Sequence, residues 1–286
     1  MPQFAMAALP VHTSNPPQQL QRSALLPYVE MRQVDQADAC FHTHSHDEFS
    51  FGVVDAGSAS YRNRQQVDTV RAGMAVLFNP GDAHACNPER GQRWSYRMLF
   101  VDAGWVARLQ ADTPGVLRSG DYTPFAVAQS QSTQLYQHFG ALFDSLLQNG
   151  SALAAEEQLV QFLLLHGFDA PRLPAPLAAS DSRLQRAREL ILDQLSDTLR
   201  LETIANAAGL NRFQLIRSFK QAYGLTPHAF QLDQRINHGK QLLKRGHTLV
   251  DVAQQLGFAD QSHFQRHFKS RHAVTPRFYQ QALAQG

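Results

Sequence analysis

Apolar positions change their spacing twice along this chain. From about residue 28 to 101 they come in short runs, such as 49–54, Ala75–Phe78 and the aromatic-rich Trp94–Val101. Turn signals bound these runs: Asp55-Ala56-Gly57, Ala72-Gly73 and Asn79-Pro80-Gly81-Asp82. Several short strands at this spacing, with no helical pattern between them, predict an antiparallel sandwich or barrel. Near Ser130 the period becomes helical. Leu135, Phe139, Leu142, Phe143, Leu146 and Leu147 recur along a helix stopped by Asn149-Gly150, and Leu159, Val160, Leu163 and Leu164 share one side of a second over 153–168. Their apolar stripes need cover, from the β layer, from a second copy of the chain, or from both. Pro171, Pro174 and Pro176 then mark a semi-rigid linker and the clearest domain boundary. After Ser180 the pattern is helical to the end. Residues 1–23, polar and broken by Pro2, Pro10, Pro16 and Pro17, read as a poorly ordered leader.

The C-terminal third repeats itself. Phe219-Lys220-x-x-x-Gly224-x-Thr226-Pro227-x-x-Phe230 returns as Phe268-Lys269-x-x-x-Ala273-x-Thr275-Pro276-x-x-Tyr279. Upstream, Ile204-Ala205-x-x-x-Gly209-Leu210 returns as Val252-Ala253-x-x-x-Gly257-Phe258. Each unit has helix-turn-helix logic. A small residue lets two helices cross closely, and a glycine four residues later takes the positive φ of the tight turn. A longer helix follows, anchored inward by Leu215 and Phe219 or by Phe264 and Phe268. Thr248-x-x-Asp251 predicts a capping box for the second unit, and Arg200 at the matching place predicts a weaker cap for the first. Between the units, 228–245 reads as one helix. At ~1.5 Å per residue its roughly 27 Å approaches the ~34 Å between successive major-groove faces.

Charge sharpens this division. The whole chain of 286 residues carries +2, but residues 181–286 hold 15 Lys and Arg against 8 Asp and Glu (+7), and residues 1–180 hold 11 against 16 (−5). A basic segment beside an acidic one points to a polyanionic partner for that segment alone. The exposed faces of the longer helices would carry Arg212, Phe213, Ile216, Arg217 and Lys220 in one unit, and Gln261, Ser262, His263, Gln265, Arg266 and Lys269 in the other. Arg and Gln can chelate guanine and adenine edges, and apolar side chains can meet thymine methyls. Lys220 and Lys269, late in their helices, suit phosphate. Arg217 and Arg266 are repeat-equivalent and are the leading base-contact candidates.

Gly257-Phe258-Ala259-Asp260-Gln261-Ser262-His263-Phe264-Gln265-Arg266-His267-Phe268-Lys269, followed by Thr275-Pro276, resembles the DNA-binding domain of the AraC/XylS family of transcription regulators. The likeness covers about residues 199–279. Ala273, where the family has Gly, and Arg200, where it has a Ser or Thr cap, are local departures. The resemblance implies an N-terminal cupin-like barrel that senses an effector, and dimerisation through the helices of 131–168.

Cys40, His42, His44, His46 and Glu48 share one parity, so an unbroken strand would point them to one face. Asn79-Pro80-Gly81-Asp82-Ala83-His84 forms a second cluster, and the two resemble cupin motifs. His-x-His with a Glu and a distant His can also form a facial metal set. The preferred reading is an effector pocket lined by His42, His44, His46, Glu48 and His84, with no metal, cofactor or catalytic residue assigned. The alternatives are a metal-binding cupin sensor and a cupin-type metalloenzyme fused to a DNA-binding domain. Two cysteines exclude a disulfide scaffold, and a buried thiol is usually an inert small hydrophobe.

The expected fold is thus α+β with two domains: a cupin-like antiparallel β-barrel with amphipathic helices, then an all-α domain of two helix-turn-helix units. The boundaries are 1–23 leader, 24–130 effector-binding β domain, 131–168 helices, 169–180 linker and 181–286 DNA-binding domain. Double-stranded DNA, a small-molecule effector and a second copy of the chain are the expected partners, with RNA polymerase a further candidate. No stretch of about 18 apolar residues exists to span a membrane, and no basic-then-apolar secretory pattern opens the chain. The expected compartment is the cytoplasm.

Overall fold

The computed structural model of this chain describes residues 18–38, 40–113, 122–126, 128–148, 150–166 and 181–284. The linker of 169–180 and most of the leader lie outside the described residues. The N-terminal part holds strands β1 (Gln18–Arg22), β2 (Val29–Ala37), β3 (Phe49–Ala56), β4 (Ser58–Asn63), β5 (Gln66–Arg71), β6 (Ala75–Phe78), β7 (His84–Asn87), β8 (Trp94–Val101) and β9 (Gln129–Ser130). They form two antiparallel sheets, ordered β1-β2-β8-β3-β6-β9 and β5-β4-β7. Val54, Tyr61, Val70, Phe78 and Tyr96 pack in one core between the sheets. The expected barrel is therefore a flattened two-sheet form, with no ladder closing the two sheets into one among the described residues.

Strand β3 is buried on both faces. Its alternate residues Phe49, Phe51 and Val53 turn away from the inter-sheet core toward helices α2 (Thr133–Leu147) and α3 (Ala152–His166), where they meet Leu135, Phe139, Leu142, Phe143 and Phe162. The β layer thus covers most of the amphipathic stripes. Leu153 and Leu165 of α3 remain exposed, and Leu147 and Leu164 partly so.

Two local expectations change. Residues 18–22, read as leader, form edge strand β1, paired from Gln18↔Val34 to Arg22↔Glu30. Backbone hydrogen bonds hold this strand, so its polar side chains gave no apolar alternation to read. Helix α1 (Ala103–Asp112) interrupts the predicted all-β region, and its first turn is capped by the Asp102 carboxylate accepting the Trp105 N–H.

The C-terminal part is helical: α4 (Ser182–Asp193), α5 (Leu201–Ala208), α6 (Arg212–Tyr223), α7 (Pro227–Lys244), α8 (Leu249–Gln255), α9 (Gln261–His272) and α10 (Pro276–Ala284). α5–α6 and α8–α9 are the two helix-turn-helix units, each with its own core around Phe219 or around Phe264 and Phe268. Gly209 and Gly257 turn the chain at φ 63° and 69°. Arg200 makes no side-chain cap. The expected capping box at Thr248 is half-formed. Its hydroxyl accepts the Asp251 N–H and donates to the Asp251 carboxylate, which therefore does not reach back to the backbone. The reciprocal box lies instead at Asn211 and Gln214, ahead of α6.

The two parts are docked against one another through α7. Asp233, Asn237, Lys240 and Lys244 lie along one face of that helix at spacings of four, three and four. The Ser45 N–H and hydroxyl donate to Asp233 at 3.0 and 2.6 Å. Lys240 donates to Glu48 at 3.0 Å and Lys244 at 2.8 Å. Lys244 also pairs with Glu30, which accepts the Tyr279 hydroxyl at 3.1 Å. The His42 N–H reaches the Ser270 carbonyl at 2.9 Å, and the Gln65 amide reaches the Gln221 carbonyl at 2.8 Å.

Candidate DNA-binding face and effector cavity

Helices α6 and α9 begin with good caps. Asn211 accepts the Gln214 N–H and Asp260 accepts the His263 N–H. Their inward anchors Leu215, Phe219, Phe264 and Phe268 are fully buried. That orientation leaves Arg212, Phe213, Ile216, Arg217 and Lys220 exposed on α6, with Phe213 at 84%. On α9, Ser262, Arg266 and Lys269 are exposed, while Gln261, His263 and Gln265 are half-buried.

His263 turns along the helix. Its Nε2 lies 2.9 Å from Nε2 of His267, and its Nδ1 accepts the Ala259 N–H at 3.4 Å. Among the described residues, the side chains of Arg212, Arg217, Lys220, Arg266 and Lys269 stand outside the hydrogen bonds and ion pairs that tie the fold together. By contrast Arg235 donates to the Leu195, Asp197 and Gly257 carbonyls, and Lys240 and Lys244 are occupied by carboxylates. The basic surplus of this domain therefore divides into cations that hold the protein together and cations that face outward.

In the N-terminal part the five expected pocket residues separate. His44, His46 and His84 come together, with ring centroids 4.6 Å apart for His44–His84 and 4.8 Å for His46–His84. His42 is exposed and Glu48 turns to the lysines of α7. The shared parity fails because residues 40–48 are not one strand. β3 starts only at Phe49, and His44 makes an isolated bridge to His84. Cys86 borders the same space, its thiol pushed up to about 12 by burial, whereas Cys40 is exposed.

The imidazoles have defined tautomers. Nδ1 of His44, His46 and His84 lies 2.7–2.8 Å from the carbonyls of His42, Glu48 and Asp82. A carbonyl only accepts, so each Nδ1 carries the proton. Burial, then repulsion from His84 and His272, holds His44 well below the usual histidine range. Burial likewise takes His46 down to about 3 and His84 to about 4. These rings are neutral at ordinary pH and present Nε2 as acceptors. Among the described residues no group of three or more His, Cys, Asp or Glu is arranged to hold a metal ion.

Together with apolar walls from Val54, Val76, Phe78 and Met98, the three histidines enclose a cavity of about 90 Å³. Part of its wall comes from the other domain, namely Lys240 of α7, His272 of α9, and Val274 and Tyr279 beyond, and Glu30 and Tyr96 add to the N-terminal side. Arg32 of β2 also lines it. None of these partners was visible in the sequence pattern. The one signal was the polar stripe Asp233, Asn237, Lys240 and Lys244, which reads alone as a solvated helix face.

Residues 26–163 match the family described as the AraC-like ligand binding domain, and residues 204–282 match a helix-turn-helix domain family. This chain belongs to the AraC family of transcription regulators. It is 27% identical to the HTH-type transcriptional regulator YbfI of Bacillus subtilis, over 78% of this chain and 81% of that one. It is 24% identical to the arabinose operon regulatory protein of Escherichia coli, over 77% and 76%. The structure of ToxT from Vibrio cholerae O395 superposes with a TM-score of 0.55 at 15% identity, covering 89% of this chain and 97% of that one, and so shares the two-domain fold. As an AraC-family regulator, the protein binds DNA through its helix-turn-helix domain and carries an N-terminal domain for a small-molecule ligand. Among the described residues no helix is long and apolar enough to cross a membrane.

Proposed function

We propose that this regulator senses its effector in the cavity at the domain seam and transmits occupancy to the DNA-binding helices through α7. The observation that carries this reading is the composition of the cavity wall, drawn from both domains. A ligand there makes contacts in the docked arrangement that it loses when the domains part. That differential affinity is what any effector needs in order to shift a conformational equilibrium. ToxT, which shares the fold, has been solved with an unsaturated fatty acid bound.

Arg217 and Arg266 read bases in this scheme, with Arg212, Phe213, Ile216, Gln261, Ser262, His263 and Gln265 beside them. Lys220 and Lys269 hold phosphates. The exposed Leu153 and Leu165 of α3, with Leu147 and Leu164, are the proposed contact with a second copy of the chain. The protein acts in the cytoplasm, with RNA polymerase as a further partner. It is not an enzyme, a reading supported by relatives that are transcription regulators.

The test fills the cavity without touching a recognition helix. Val76→Phe in the full-length protein is expected to change affinity for a selected operator by about 5-fold or more, the lower end of ordinary allosteric coupling. Unchanged operator affinity would refute the seam as the sensing site.

A further inference from the structure

The cavity at the domain seam contains polar groups left without partners. The Arg32 Nε and the His272 Nε2 are buried and make no hydrogen bond among the described residues. Arg32 is nevertheless held in place. It donates to Gln18 at 3.1 Å, and its guanidinium lies 5.4 Å from the Phe41 ring centroid and 5.9 Å from that of Tyr96. The same cavity also holds acceptors. The Nε2 atoms of His44 and His84 carry no hydrogen bond among the described residues, whereas Nε2 of His46 accepts the Ser50 hydroxyl at 3.1 Å. A buried donor or acceptor left unmade is costly, so such groups are met by water or by a ligand.

The set is mixed in sign. Arg32 offers a donor suited to an anion, and a planar guanidinium matches a carboxylate. The two free imidazole nitrogens require a donor, because neutral rings with Nδ1–H can only accept at Nε2. The space is also small. A cavity of about 150 Å³ holds benzene, and this one is about 90 Å³.

We propose that the effector is a compact carboxylate that also bears a hydrogen-bond donor, one of the smallest amino acids or hydroxy acids, of about two or three carbons. Its carboxylate faces Arg32, and its ammonium or hydroxyl faces the Nε2 atoms of His44 and His84. Because His272 and Lys240 line the same cavity from the DNA-binding domain, the bound molecule lies against both domains. The inference rests on the seam cavity being the sensing site.

The experiment is a thermal-shift and calorimetric titration of the full-length protein with the twenty amino acids and the two- and three-carbon hydroxy acids. Propionate, butyrate, serinamide, arabinose and decanoate serve as comparison probes. At least one donor-bearing carboxylate is expected to raise the midpoint by several degrees, and Arg32→Gln to abolish the rise. Arg32→Lys, which keeps the charge but loses the planar fork, is expected to weaken it at least tenfold and covers the case in which Arg32→Gln does not fold. Amino acids against hydroxy acids decides which donor the site takes. A rise with propionate, butyrate, serinamide, arabinose or decanoate equal to the best amino or hydroxy acid overturns the proposed class. So does a panel with no response, or a response indifferent to both Arg32 variants. The seam reading fails separately, when Val76→Phe leaves operator affinity unchanged.

Discussion

Glu48 accepts from both Lys240 and Lys244 across the docked seam. Its side chain is 9% exposed and that of Lys240 is 6% exposed, with 3.0 Å between Oε2 and Nζ. Burial alone would raise the Glu48 carboxyl, but the ammonium groups of Lys240 and Lys244 outweigh it and hold the group well below the usual carboxylate range. In Glu48→Gln, Lys244 keeps Glu30, while Lys240 loses the carboxylate it pairs with and stays buried beside the Tyr279 ring at 5.7 Å. Removing one partner of a buried pair costs about 3–5 kcal/mol, because the other charge stays desolvated and unpaired. That is a large part of the roughly 5–15 kcal/mol that holds an ordinary domain folded. Here undocking offers an escape, so the loss appears either as a lower urea midpoint or as a single transition splitting into two. Lys240→Met should cost less, because Glu48 keeps the Lys244 ammonium at 2.8 Å. The double variant, with no buried charge at that place, should return to within about 1 kcal/mol of the parent. Urea denaturation of the four proteins at about pH 7.5, well above the carboxylate range, measures the cycle. Singles within about 0.5 kcal/mol of the parent, or a double equal to the sum of its singles, would show that the pair does not meet in solution.

Gly257→Ala should destabilise well beyond Gly209→Ala in urea melts. Both sit at positive φ, costing about 1 kcal/mol for a Cβ, but at Gly257 the new atom would stand 2.0 Å from the Ser196 carbonyl oxygen, whereas Gly209 faces open space; equal costs would contradict the observed packing. Ala273 sits at φ 55°, so Ala273→Gly should gain about 0.5–1 kcal/mol, and a loss would mean its methyl packs productively. Stability should fall as pH drops from about 6.5 toward 4. The unfolded chain protonates His44, His46, His84 and His272 in that window while the folded chain keeps them neutral, His46 down to about 3 and His84 to about 4. Each contributes up to about 1.4 kcal/mol per pH unit. Asp233, pushed up to about 6 by burial against the Ser45 hydrogen bonds and Arg271, and Asp47, also raised by burial, oppose this, while His267, held down to about 4 by burial, adds to it; a flat urea midpoint between about pH 7 and 5 would show the cavity rings to be solvated. Arg217→Ala and Arg266→Ala should each cost about 1–3 kcal/mol at a selected operator and relax one base preference, and uniform loss across DNA sequences would reassign them to phosphate.

The sequence by itself determined what local periodicity can encode. Short apolar runs bounded by turns specify the β layer. Stripes at helical spacing specify α2 and α3, and the doubled Ala-x-x-x-Gly unit specifies both helix-turn-helix motifs, down to Gly209 and Gly257 at positive φ. These signals span a few residues each, the range over which backbone conformation and side-chain facing are coupled. Irregular backbone marked their limit. His42 and Glu48 share parity with His44 and His46, yet residues 40–48 do not run as a strand, so parity did not decide facing. The polar strand β1 was hidden for a related reason, since main-chain pairing holds it. Tertiary structure alone decided the seam. Glu48 meets Lys240 and Lys244 across 192 and 196 residues of chain, and a Lys–Glu pair at that separation leaves no periodic trace in either segment. The same holds for Arg32 and His272, which become cavity walls only once α7 and α9 dock on the β layer. The positive charge of the last third is therefore legible as a total, while its division between outward-facing arginines and seam lysines follows from packing.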